Sequence, residues 1–157
     1  MSSFDREYYI NLIEESYFGN VSKEDITGAC DCFTDDSKVV IYHGDNPVRL
    51  FYKEPKGNQQ PLEAFYDHLL GNYNAKFQDF VHTIDLSDEK CASNFLVTLS
   101  PKPNSEYLST GVLTLNNSNF FRLDNGKINY MIIYYANPTL GELLGNTNDS
   151  PTGFPKS

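Results

Sequence analysis

The sequence predicts an α+β domain in which a strongly curved antiparallel sheet wraps N-terminal helices. Three observations carry this. Apolar residues recur at helical spacing early in the chain and again after Pro61, whereas from Phe77 to Leu86 the period is two and the remainder reads as strands. The 157 residues make one domain's worth of chain, long enough to bury a core without metal or disulfide staples. Hydrophobic residues at 39% and charged ones at 21% exclude a disordered chain, and no run approaches the roughly 20 apolar residues of a membrane helix.

The first helix is predicted from Phe4 to Phe18, capped by Ser2 or Ser3, with Asp5 and Glu7 in its first turn and Gly19 ending it. Tyr9, Leu12, Ile13, Ser16 and Tyr17 form its buried stripe. A second helix opens at Ser22-Lys-Glu-Asp25, close to a capping box, and repeats Ile26, Ala29, Cys30 and Phe33. Thr34–Ser37 reads as a turn. The third helix starts at Pro61 and carries Leu62, Phe65, Leu69 and Tyr73 on one face.

Lys38–His43 reads as the first strand and Val48–Lys53 as a short edge strand. Phe80, His82, Ile84 and Leu86 share one face of the next strand, opposite Val81, Thr83 and Asp85. Ser87–Lys90 turns into Cys91–Ser100. Tyr107–Leu123 is expected as one long, bent strand, and Asp124-Asn125-Gly126 as a tight turn into Lys127–Tyr135. Residues 1–144 are expected to form the single domain. Residues 145–157 read as a flexible tail, with Phe154 its only sizeable apolar residue.

Charge and cysteine use narrow the partners. Twelve basic against 21 acidic residues give a net charge of −9, with no Lys/Arg cluster to neutralise phosphates; nucleic acid and anionic membranes are not expected partners. Residues 1–36 hold nine of the acids, either as solvated helix faces or as a docking surface for a basic partner. Cys30, Cys32 and Cys91 fit neither a disulfide framework nor zinc-ligand spacing. Reduced thiols and the lack of a secretory signal at the N-terminus predict a cytoplasmic protein. The last strand is apolar on both faces, Tyr130, Ile132 and Tyr134 alternating with Met131, Ile133 and Tyr135, which predicts a homodimer through the outer sheet face.

Three stretches resemble the nuclear transport factor 2-like superfamily, especially its SnoaL-like polyketide-cyclase and ketosteroid-isomerase branches. They are Ile26–Asp36, ending in Phe33-Thr-Asp35-Asp36; Pro61–Tyr66; and Asn119-Phe-Phe-Arg122-Leu-Asp-Asn-Gly126-Lys127-Ile128. Together they span about residues 5–138 in the family's order. The resemblance implies a cone-shaped sheet, the cystatin-like α+β roll, and small-molecule chemistry without a metal or organic cofactor. It also implies that the isomerase base belongs at Ile41, which cannot take a proton, so a steroid isomerase is not expected. One oxyanion donor falls at Asn119, and the other, a first-helix tyrosine, near Tyr17.

The residues themselves add candidates. His82 sits on an apolar strand face, where it is either a general acid or base, a satisfied core histidine, or an interface residue. Alternation from Ile41 turns His43 inward and Tyr42 outward at the rim. Asn116, Asn117 and Asn119 either line a pocket or break the strand. The expectation is a small-molecule pocket protein for an apolar or aromatic molecule. As an enzyme it would use His82 or His43 for proton transfer in isomerisation, dehydration or cyclisation, with Tyr17, Asn119, Ile41 and Tyr42 contacting substrate. Without catalysis it is a ligand-binding or dimerisation module.

Overall fold

The computed structural model describes residues 4–136. The predicted caps Ser2 and Ser3, and the tail beyond 144, lie outside the described residues. The architecture is α+β: short helices at the N-terminus, α1 (Arg6–Asn11), α2 (Gly19–Ser22), α3 (Ile26–Cys30) and later α4 (Leu62–Asn72), against one six-stranded sheet. The strands are β1 (Phe33–Tyr42), β2 (Arg49–Tyr52), β3 (Tyr73–Asp85), β4 (Lys90–Pro101), β5 (Leu113–Asp124) and β6 (Lys127–Ala136), in the order β2-β1-β6-β5-β4-β3. The sheet does not close, since β2 and β3 remain its edges. Every neighbouring pair is antiparallel except β1 and β6, which run parallel, a departure from the all-antiparallel expectation.

Asp5 caps α1, its side chain accepting from the Tyr8 amide at 2.8 Å. Gly19 does not end the first helix. Between α1 and α2, Leu12–Phe18 forms a π-helical turn in which the Gly19 amide donates back to the Glu14 carbonyl, and the helix continues to Ser22. Tyr17, Phe18 and Val21 are all buried there, so packing on both sides of the glycine outweighs its modest helix penalty of about 1 kcal/mol. Asp25, not Ser22, caps α3, accepting from the Gly28 amide at 2.9 Å.

Thr34–Ser37 is part of β1 but breaks its pairing: the register against β6 jumps from Phe33↔Ile128 to Lys38↔Tyr130. In β3 the extra residue sits near Asp79, whose φ of 60° marks a bulge between Gln78 and Val81. The bulge lets Phe77 and Phe80, an odd number of residues apart, both pack on Phe18. The long strand expected from Tyr107 begins only at Leu113, because Leu108–Thr110 is a 3-10 turn and Gly111 takes a φ of 72°. Asn125 and Gly126 both have positive φ and make the two-residue β5–β6 turn. Tyr8 donates to the Gly126 carbonyl and Tyr9 accepts from its amide, tying the turn to α1.

The core lies between the inner sheet face and the helices, with Ile13, Tyr17, Phe33, Val39, Phe95, Ile128 and Met131 buried. The outer face exposes Tyr42, Phe120 and Tyr134, with Tyr42 stacked on Tyr134. Among the described residues no helix is long and apolar enough to cross a membrane, and no group of His, Cys, Asp and Glu could hold a metal.

Candidate functional site

Strand register assembles the site. Ile41, Ile133, Asn119, Ser93 and His82 pair across β1, β6, β5, β4 and β3 as one transverse row. Cross-strand partners point the same way, so the row faces the helices as a unit. Three residues singled out from the sequence, Ile41, Asn119 and His82, stand in this row. Its two halves have different surroundings.

The first half, Ile41, Ile133 and Asn119, forms part of the wall of a cavity of about 310 Å³. The π-helical turn supplies Tyr17 and Phe18, and α4 supplies Phe65, Tyr66 and Leu69. The stripe expected on α4 is therefore split: Leu62, Tyr66 and Leu70 are buried, while Phe65 and Leu69 are half-buried and face the cavity. The closed end is marked by buried Tyr17, Tyr66 and Asn119, at 2%, 1% and 1% exposure. The open end holds His43, Arg49, His68, Tyr107 and Tyr135. Among the described residues no aspartate or glutamate lines the cavity. A wider hollow of about 610 Å³ on the outer face, between Asp85, Arg122 and Tyr130, is open to solvent.

The Tyr17 and Tyr66 hydroxyls lie 2.5 Å apart. Two hydroxyl protons are present and only one can lie between the oxygens. The other has no protein acceptor among the described residues. Burial raises both tyrosines' pKa above the ordinary phenol value, so the pair stays protonated. It is a donor and not a base. Asn119 turns its amide NH₂ toward the Met131 sulfur at 3.5 Å, which fixes the carboxamide because a thioether only accepts. The Oδ1 atoms of Asn117 and Asn119 are buried without a partner, an acceptor surplus in the cavity wall. The run of asparagines does not break the strand, since β4 and β5 keep unshifted register from Lys90↔Arg122 to Leu99↔Leu113.

His43 faces the cavity and stacks on Tyr135 with ring centres 4.1 Å apart. The Asn46 amide NH₂ donates to the His43 carbonyl and meets its Nδ1 at 3.0 Å. Nδ1 is thereby an acceptor, and the neutral ring carries its proton on Nε2. Tyr42 projects from the other face, outside the cavity.

The second half of the row is separate. His82 does not line the cavity, contrary to the expectation that it would do so with Tyr17 and Asn119. Its side chain is 5% exposed, with Nε2 at 2.6 Å from Glu14 Oε2 and Nδ1 at 2.6 Å from the buried Ser93 hydroxyl. Phe80 stacks against it. Both ring nitrogens are committed, and the carboxylate of Glu14 fixes a proton on Nε2. The π-helical turn brings Glu14 to this position.

The sequence reading passed over Tyr66, Arg49 and Tyr135 as site residues. A signal for Tyr66 existed in the spacing Leu62-Tyr66-Leu70, a second helical stripe beside the one chosen. Arg49 and Tyr135 meet only through the β2-β1-β6 order, where Arg49 Nη2 donates to the Tyr135 hydroxyl at 3.1 Å.

No protein-family model matches the chain, and no curated protein matches it by sequence. Solved structures share its fold. One is a proposed polyketide cyclase from Xanthomonas campestris pv. campestris, 16% identical, with a TM-score of 0.64 over 83% of this chain and 92% of that one. SalBIII, an epoxide hydrolase/cyclase-like enzyme with a role in pyran ring formation in the polyether salinomycin, is 16% identical with a TM-score of 0.62, covering 84% and 93%. A protein with a cystatin-like fold from Methylobium petroleophilum PM1 is 14% identical with a TM-score of 0.62, covering 94% and 96%. The chain thus shares its fold with these proteins, the cystatin-like α+β fold that the resemblance in the sequence implied.

Proposed function

We propose that this chain is a cofactor-free small-molecule pocket protein of the SnoaL-like type that binds an apolar or aromatic molecule and holds one of its oxygens at the closed end. The observation that carries this reading is the uncommitted hydroxyl proton of the Tyr17–Tyr66 pair inside an apolar cavity. A preformed donor in a poorly solvated site interacts strongly with a carbonyl oxygen and costs little reorganisation. The cavity volume sits at the lower end of small-molecule sites, enough for about two fused rings.

Binding without turnover is the reading best supported. Ile41 stands where the resemblance places the isomerase base, no carboxylate of the described residues lines the cavity, and His82 is occupied by Glu14 and Ser93. The catalytic reading is favoured by His43 at the cavity wall and by a fold shared with an enzyme named for pyran ring formation. In that reading the His43 Nε2–H and the tyrosine pair polarise a substrate oxygen by hydrogen bonding, while the substrate gives one proton to water and takes one back at another position, so that His43 keeps its own.

Calorimetry with 2-acetylnaphthalene and 2-ethylnaphthalene tests the proposal. The ketone should bind at least tenfold tighter than the hydrocarbon, and the Tyr17→Phe/Tyr66→Phe double variant, which removes both hydroxyls, should abolish that preference. Equal affinities in the wild type, or no binding of either compound, would overturn it.

A further inference from the structure

Resting on the pocket reading above, we infer that the ligand is an anion: an apolar molecule with a carboxylate, or a group of the same charge and shape, held at the cavity mouth by Arg49 and Tyr135. Three observations converge there. The chain is strongly acidic, with 21 acidic residues against 12 basic, yet among the described residues its cavity is lined by one arginine, two histidines and no acid. A lining drawn without selection from this composition would carry more acids than bases.

The arginine is also uncommitted. Among the described residues no carboxylate lies within salt-bridge distance of Arg49, and its one hydrogen bond goes from Nη2 to the Tyr135 hydroxyl at 3.1 Å. Arginine offers five N–H donors in a planar fork, so most of them remain free for a carboxylate. The third observation is the Tyr135 hydroxyl itself. It accepts from Arg49, and its own proton has no protein acceptor among the described residues. Stacking on His43 fixes the ring that carries it. An anion at this point would therefore meet guanidinium N–H groups and a tyrosine O–H together, while Phe65, Leu69 and Leu113 receive the apolar body.

The two ends then sort the ligand by chemistry. The closed end offers a neutral donor suited to a carbonyl; the mouth offers a cation suited to a carboxylate. A keto acid with a rigid apolar spacer satisfies both.

The experiment compares 6-acetylnaphthalene-2-carboxylate with 6-acetylnaphthalene-2-carboxamide, equal in shape and different in charge, by titration calorimetry on the full chain. The carboxylate should bind wild type at least tenfold tighter than the amide in low salt. That advantage should shrink as salt rises, because the mouth is solvent-accessible. Arg49→Gln should bring the carboxylate to the affinity of the amide, and Arg49→Lys should keep part of the preference. Arg49 is exposed on an edge strand, and 2-acetylnaphthalene, which carries no group at the mouth, should bind the variant within about twofold of wild type and so report an intact cavity. If the amide binds and the carboxylate binds no tighter, the inference falls and the pocket reading stands. If neither binds, both fall.

Discussion

Removing one hydroxyl of the Tyr17–Tyr66 pair should cost more than removing both. In wild type the two oxygens satisfy each other at 2.5 Å, at positions 2% and 1% exposed. Tyr17→Phe keeps the ring packing against Phe18 and Phe33 but leaves the Tyr66 oxygen without its partner. A buried polar group stripped of its partner costs about 1–3 kcal/mol, and Tyr66→Phe should cost the same for the mirror reason. The double variant has no orphan, so its loss should stay near that of a single hydrogen bond, about 1 kcal/mol. With each single variant at about 2 kcal/mol, additivity would give about 4, so the cycle should show about 3 kcal/mol of coupling. In a chain of 157 residues each kcal/mol moves the melting point by about 2–4 °C. The sequence holds no tryptophan, so urea unfolding followed by circular dichroism is the assay. Single variants that lose under about 0.5 kcal/mol and add in the double would refute the reasoning. They would show water reaching the hydroxyls and a closed end that is wet.

Other outcomes follow from particular contacts. Gly126→Ala should destabilise by about 1–3 kcal/mol, because φ is 82° there and a Cβ would sit 2.6 Å from the Phe4 ring; an unchanged urea midpoint would contradict that packing. Burial raises the Cys30 and Cys32 thiols to about 11 and lifts Tyr17 and Tyr66 as well, so between pH 9 and 11 the unfolded chain binds fewer protons than the folded one. Stability should therefore fall as pH rises through that range, and a flat midpoint from pH 8 to 10.5 would count against buried, protonated groups. His82→Gln should lower stability by about 1–3 kcal/mol through loss of the Glu14 and Ser93 contacts, yet leave ligand affinity within about threefold; a tenfold loss of affinity would return His82 to the site. The exposed Tyr42, Phe120 and Tyr134 should make the outer face a contact between two copies, so sedimentation showing only monomer at micromolar concentration would exclude it.

Strand faces were legible because their signal is local. A period of two assigns Phe80, His82 and Ile84 to one side wherever the ladder pairs, and β3 obeys it after the bulge. The asparagines at 117 and 119 face inward by the same rule. Gly19 misleads because a breaker's penalty is small beside the burial of Phe18 and Val21 around it. On α4 the stripes Leu62-Phe65-Leu69 and Leu62-Tyr66-Leu70 are equally helical. Both are used, Phe65 and Leu69 toward the cavity, Leu62 and Leu70 toward the core and Tyr66 at the closed end of the cavity, and periodicity cannot say that a helix has two apolar duties. The inward strand face brought His82 toward the helices, but only the third dimension shows that Glu14 reaches it first. Arg49 had no local signal at all, since its place depends on two strands from opposite ends of the chain becoming neighbours of β1.

That neighbourhood also shapes how the chain is built. β1 pairs on one side with β2, close in sequence, and on the other with β6, the last strand of the sheet. A growing chain can form the β1–β2 hairpin and the β3–β4–β5 meander from nearby contacts, but the two pieces stay apart until β6 emerges. Until then β1 holds an open edge through Val39, Val40 and Ile41, and β5 holds another. β6 works as a keystone, and its apolar residues on both faces suit a strand that must enter between two waiting edges. The late arrival of so distant a partner makes assembly slow relative to stability, and it exposes sticky edges in the meantime. A chain cut just before Lys127 would keep both edges open, and its readiest partner would be another copy of itself.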